Sequence, residues 1–212
     1  MGEGLRERKK RQMRQRISEV AIGLFVERGF DNVTVTEIAA VAEVSVNTVY
    51  NYFEAKEDLV LPPEDASPWR LADVVRQRCP GDSAAGAVLA WLREEIRGRE
   101  RRVGLSAGFG RVLEMMRAAP TLSARLEDLG RQMTDALAVV LAEETGAALD
   151  DPLPRAVAWH IGCLHALVYA EIGRRITAGE CPDVIATAVL ELLDVVEGLL
   201  GEQVLGYAVR EG

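Results

Sequence analysis

TVTEIAAVAEVSVNTVYNYFEAKEDL, residues 34–59, decides how this chain is read. Thr34 is placed to cap a helix, and Glu37 three residues later completes a capping box. Ile38, Ala39 and Ala42 give that helix an apolar face, and Glu43-Val44-Ser45 makes a turn. Ser45 then caps a second helix, Val46 to about Phe53, on which Val49 and Phe53 point inward by their i, i+4 spacing. Val46, Asn47, Tyr50 and Asn51 fall on the other side. Two short helices at a sharp turn form a helix-turn-helix, the unit that presents its second helix to the DNA major groove.

Working outward, Ile17, Val20, Ala21, Leu24 and Phe25 form a helical stripe, predicting a first helix from about Leu5 to Arg28 with Gly29 as its stop. Residues 5–16 hold Arg6, Arg8, Lys9, Lys10, Arg11, Arg14 and Arg16 against Glu7 alone, a local charge of +6 in a chain of net charge −8. Distant surface charges are screened within about 8 Å at physiological salt, so the local sign governs phosphate contact. This basic run reads as a phosphate or minor-groove contact; a solvated, disordered tail is the alternative.

For the candidate contacts, Asn47 can form two hydrogen bonds with adenine and Val46 can touch a thymine methyl. Thr48, Tyr50 and Tyr52 offer hydroxyls, with a core ring as the alternative for Tyr52. Lys56 opens the next helix, where ammonium and helix dipole both favour an anion, and Thr34 and Thr36 stand similarly at the second helix. Ser45, Asn51 and Arg14 complete the set.

The run Thr34-Val35, Ile38-Ala39, Ala42-Glu43-Val44-Ser45, Thr48-Val49-Tyr50, Tyr52-Phe53 and Lys56-Glu57-Asp58-Leu59 resembles the N-terminal domain of the TetR (tetracycline-repressor) family of bacterial transcription regulators. The resemblance covers roughly residues 10–60. It implies that the Val46–Asn47 face reads bases and that Tyr50 holds a phosphate. The family usually has glycine where this chain has Glu43, so a left-handed backbone there would cost roughly 1 kcal/mol. The Glu43 carboxylate is expected to face solvent or a neighbouring base such as Arg14.

Beyond the motif, a short helix from about Ala55 should end at Leu61, before Pro62-Pro63, and the connection running from Pro62 to Pro68 marks a domain boundary. The expected division is residues 1–61, a helix-turn-helix DNA-binding domain with a basic N-terminal arm, and 62–212, a helical ligand-binding and dimerisation domain. Further helices are predicted at about Trp69–Gln77, Ser83–Arg97, Val103–Ala118, Pro120–Thr145, Pro154–Ala178 and Asp183–Leu205, so the fold class is all-α. The mixed charges between Arg93 and Arg102 read as a solvated face. No strand pattern, repeat or low-complexity segment is present.

The last two helices carry more apolar surface than a chain this size covers alone. Val157, Ile161, Leu164 and Val168 on one and Ile185, Val189, Leu192, Val196 and Leu199 on the other predict a homodimer interface of four helices. A fully intramolecular bundle is the alternative. Trp91, Phe109, Met116, Met133, Trp159 and Cys163 could enclose a pocket for a small hydrophobic effector, although such spacings also describe a packed core.

Enzymatic signals are weak. His160 and His165 lie roughly 140° apart around one helix and cannot grip one metal together. His160 and Cys163 leave a zinc site incomplete. Ser106, within Gly104–Gly108, mimics a nucleophile elbow without the preceding strand. No catalytic residue, metal or cofactor is assigned. Cys79, Cys163 and Cys181 have no metal-type spacing and suit a reducing compartment. No apolar run reaches a membrane span by this reading, and the expected location is the cytoplasm.

The sequence therefore predicts a homodimeric, ligand-responsive repressor on palindromic double-stranded operator DNA. A ligand-independent scaffold that recruits a protein partner, and more remotely an enzyme on a regulator-like fold, are the alternatives.

Overall fold

The computed structural model describes residues 4–61, 66–100, 103–106 and 108–211. Every regular element among them is helical: α1 (Leu5–Arg28), α2 (Val35–Val41), α3 (Val46–Tyr52), a 3₁₀ turn (Lys56–Leu59), α4 (Arg70–Gln77), α5 (Ala84–Gly98), α6 (Phe109–Ala118), α7 (Pro120–Thr145), α8 (Leu153–Thr177), α9 (Pro182–Leu199) and α10 (Glu202–Leu205). The all-α expectation holds. Pro62-Pro63, Arg101 and Arg102 lie outside the described residues.

Two compact units form: Met1–Ala66 with Arg111–Arg125, and Ser67–Gly110 with Leu126–Gly212. The expected division placed residues 111–125 in the second domain, whereas the first unit contains them. Met115, Met116, Ala119 and Leu122 are buried there. An apolar stripe shows that a helix face is buried without showing which core buries it.

In the first unit, α1 packs on α2 and on the 3₁₀ turn, and α2 packs on α3. The core includes Ile17, Ala21, Phe25, Phe30, Ile38, Ala39, Val49, Phe53 and Leu59. The capping box at α2 is present. Glu37 N–H donates to Thr34 Oγ1 at 3.2 Å, and Thr34 N–H donates to Glu37 Oε2 at 2.8 Å. The Thr34 N–H bond first, and a second bond donated by the Thr34 hydroxyl, hold the Glu37 carboxyl below the usual carboxylate range. Ser45 Oγ accepts from Thr48 N–H at 3.0 Å and caps α3. Such caps contribute about 0.5–2 kcal/mol each. The expected helix from Ala55 to Leu61 is only a 3₁₀ turn. It is fixed by Asp58, whose Oδ2 accepts from Ala55 N–H at 2.9 Å and whose Oδ1 pairs with Arg125.

Glu43 adopts a left-handed backbone with φ 56°. Its carboxylate pairs with Arg16 at 3.0 Å rather than with Arg14. Both groups are exposed, so the pair adds little. Glu43→Gly should therefore relieve up to about 1 kcal/mol of backbone strain. In a chain this long that is a rise of about 2–4 °C in thermal midpoint. An unchanged or lower midpoint in a thermal scan would show that the turn is not strained.

The second unit packs α4 and α9 on α5, and α8 on α9. Its core contains Val88, Leu89, Leu92 and Ile96 of α5, Leu137 and Leu141 of α7, Val157, Ile161, Leu164 and Val168 of α8, and Ile185 and Val189 of α9. The mixed-charge run is less solvated than expected. Arg93 reaches Asp194 at 2.7 Å and Glu197 at 2.5 Å, and Glu95 is buried. The expected helix from Val103 begins instead at Phe109. Gly104 has φ +75°, and a Cβ there would overlap the Phe109 ring, so this turn requires glycine. The last predicted helix is likewise interrupted, at Leu200–Gly201, into α9 and α10. Contrary to the sequence expectation, α8 is long and apolar enough to cross a membrane by length and composition. Its inner seam is instead part of the unit's core.

Candidate nucleic-acid interface

The interface is built on α3. Val49 is buried on the inner side, and Phe53, just past the last turn, is buried with it. One helical turn separates Asn47 from Asn51, and both are exposed, with Tyr50 between them 54% exposed. Val46 is half-buried at the first turn. The helix thus offers two amides, a phenol and a small apolar patch on one face, the chemistry that reads base edges in a major groove.

Other candidates divide by what already engages them. Ser45 and Thr48 share a hydroxyl hydrogen bond at 2.8 Å, and the Thr34 hydroxyl donates to Glu37 Oε2 at 2.8 Å. These three are committed first to the caps that set the helix angles. Thr36 is exposed on the first turn of α2, and Tyr52 is half-buried. Arg14 lays its guanidinium over the Phe53 ring, 5.1 Å from the centroid.

Lys56 is turned inward, which corrects its expected role as an anion contact. Its ammonium donates to the Phe30 carbonyl at 2.6 Å and lies 4.4 Å and 5.4 Å from the Phe30 and Phe25 ring centroids. The two rings are themselves 4.8 Å apart. A charge-assisted hydrogen bond and two ring contacts make Lys56 a clamp on the core. Lys56→Met should keep the stem and lose the clamp, destabilising the fold by about 1–3 kcal/mol. An urea midpoint equal to that of the parent protein would return Lys56 to the surface role.

The basic run of residues 5–16 lies on α1, so it is neither an extended arm nor a disordered tail. Arg6, Arg8, Lys9, Lys10 and Arg11 are exposed. A helix about 10–12 Å wide does not enter a minor groove about 6 Å wide, which leaves phosphates as the fitting target.

Of the residues expected to line an effector pocket, only Trp159 and Cys163 line one groove together. Met116 belongs to the first unit, Met133 is buried in the second unit's core, and Trp159 and Cys163 are exposed on the outer face of α8. Phe109 packs beneath Gly104. Trp91 instead stacks with His165, which also meets Tyr169. His165 was considered in the sequence only as a metal ligand, and Tyr169 was not considered. Their i, i+4 spacing on α8 was the available signal.

The residues expected at a dimer seam divide between core and surface. Val157, Ile161, Leu164, Val168, Ile185 and Val189 are buried within one protomer's own core. Leu192 and Val196 are half-buried and Leu199 is 79% exposed. The large apolar side chains left exposed are Trp159, 63% exposed, and Leu167 on α8, and Val195 and the expected Leu199 on α9, with the Cys163 thiol also exposed. A groove of about 270 Å³ between the helices is lined by Trp159, Cys163, Leu167, Val196 and Leu200 among others.

The family model described as "Bacterial regulatory proteins, tetR family" matches residues 17–61, α1 to just past the 3₁₀ turn. The HTH-type transcriptional regulator TcmR of Streptomyces glaucescens is 31% identical over 154 residues, covering 71% of this chain and 68% of TcmR. The crystal structure of native NalD, the secondary repressor of the MexAB-OprM multidrug efflux pump in Pseudomonas aeruginosa, superposes with TM-score 0.57 at 19% identity, over 89% of this chain and 96% of NalD. A SmeT–triclosan complex superposes with TM-score 0.52 at 16% identity, over 87% and 90% of the two chains.

Proposed function

The chain belongs to the TetR family of bacterial transcriptional regulators, and we propose that it acts as a ligand-responsive repressor binding a palindromic operator as a homodimer in the cytoplasm. The observation that carries the DNA reading is the exposed Asn47–Tyr50–Asn51 face of a capped α3, preceded by a +6 helical segment. Asn47 and Val46 read base edges, while Tyr50 and the α1 cations hold phosphates. The outer face of α8 with the end of α9 joins two copies, since Trp159, Cys163, Leu167, Val196 and Leu200 line an apolar groove that a two-fold partner covers.

Two copies would place their α3 helices about 34–36 Å apart, one turn of DNA. A ligand lowers DNA affinity only by binding more tightly to a conformation with another spacing. NalD is described as a repressor, and SmeT is seen with triclosan; a repressing sign and a small apolar effector follow that pattern. Catalysis has no role in this reading.

The repressing sign is tested by selecting an operator from a pool of random duplexes and placing it across a promoter driving a reporter. Transcription should fall when the protein is supplied and should stay high with the Asn47→Ala variant. A rise in transcription would make the protein an activator.

A further inference from the structure

The 3₁₀ turn that follows α3 is pinned from two sides. On one side Ser18 Oγ of α1 donates to the Leu59 carbonyl at 2.6 Å, and Lys56 donates to the carbonyl of Phe30, just past α1. On the other side the Arg125 guanidinium of α7 donates to Asp58 Oδ1. Asp58 is only 4% exposed, and its Oδ2 accepts from Ala55 N–H at 2.9 Å. A carboxylate is kept in such a place where it is paired and hydrogen-bonded. Here it links α7 to the backbone two residues past Phe53, the C-cap of α3. Arg125 stands on a packed base, since Met116, Ala119 and Leu122 of the same unit are buried.

We propose that Arg125 is a positioning residue for DNA reading: through Asp58 it fixes the end of α3, and with it the angle at which Val46 and Asn47 meet base edges. The inference rests on the regulator reading above and gives a role in sequence preference to a side chain on α7. The carboxylate of the pair is buried and the guanidinium is 40% exposed, so the pair holds a geometry that a fully solvated pair would not. Hydrogen bonds to base edges form over about 2.7–3.2 Å and at near-linear angles, so a tilt that moves Asn47 by about 1 Å forfeits them. Attraction to phosphates reaches about 8 Å at physiological salt and survives the same shift. Loss of the Arg125 tie therefore lowers sequence preference and leaves non-specific binding unchanged.

Selection from random duplexes with the full-length parent protein defines a preferred duplex, and fluorescence anisotropy then gives the ratio of its affinity to that of a scrambled duplex. In Arg125→Gln this ratio should fall about tenfold, with affinity for the scrambled duplex and its salt slope unchanged. A residue that acts through another gives non-additive effects. The double variant Asp58→Asn/Arg125→Gln should therefore also lie about tenfold below the parent, and Asp58→Asn alone should lower the ratio to a similar degree. The double variant strands no buried carboxylate, so it carries the test if Arg125→Gln does not fold. A parent-like ratio in the double variant, or single effects that multiply in it, overturns the assignment. Equal weakening on both duplexes with the salt slope reduced by about one overturns it too, and makes Arg125 a phosphate contact. A parent protein that enriches a duplex while its variants keep the ratio loses this inference alone. A parent protein that enriches none loses the regulator reading, and this inference with it.

Discussion

Trp159→Glu should yield a folded monomer. Trp159 is the largest exposed side chain of α8, and it lines a groove with Cys163, Leu167, Val196 and Leu200. A two-fold interface is self-complementary, so one substitution buries two carboxylates. Unpaired buried charges cost several kcal/mol each, more than a modest interface supplies. Within one chain the same residue is 63% exposed, so the protomer itself loses little. Operator affinity should fall by about 100-fold or more, because each half-site is then bound without the effective concentration that linkage provides. The contrasting variant is Val168→Ala, in the seam that the sequence pattern assigned to the interface. Val168 is fully buried in its own protomer. Its truncation should cost about 1–3 kcal/mol of stability and leave the dimer intact. Sedimentation equilibrium separates the two faces: a monomeric Val168→Ala beside a dimeric Trp159→Glu would restore the original seam.

The second large effect is at Asn47. Asn47 stands exposed on the first turn of α3. A bidentate contact with adenine is worth about 1–3 kcal/mol, and a dimer makes it twice. Asn47→Ala should therefore weaken operator binding at least about thirtyfold and relax preference at one base pair per half-site. Lys10→Ala on α1 should behave differently, weakening all sequences alike and reducing the salt slope by about one. Lys56 does not serve as the phosphate comparison, because its ammonium is held by the Phe30 carbonyl. Equal losses of sequence preference in the Asn47 and Lys10 variants would mean that base and phosphate contacts have been assigned to the wrong helices.

What could be read from the sequence was local. Thr34 with Glu37, and Ser45 with Thr48, are contacts within one helical turn, and their caps fixed α2 and α3 correctly. Tertiary choices were harder. Both faces of α8 are apolar, so periodicity could not tell Val157, Ile161 and Val168, which are inside, from Trp159 and Leu167, which are outside. Residues 111–125 carry a stripe that fits either core, and only the folded chain shows that the first unit takes it. Lys56 looked like a helix-start cation because its partners, Phe25 and Phe30, are about thirty residues away. The Trp91–His165 pair joins α5 to α8 across a gap that no local pattern spans.

Selection of bound duplexes from a random DNA pool tests the central claim most directly. The account predicts an enriched inverted repeat whose half-site centres lie about 10–10.5 base pairs apart, or a multiple of that. A pool that stays unenriched while the protein is folded and dimeric would contradict it.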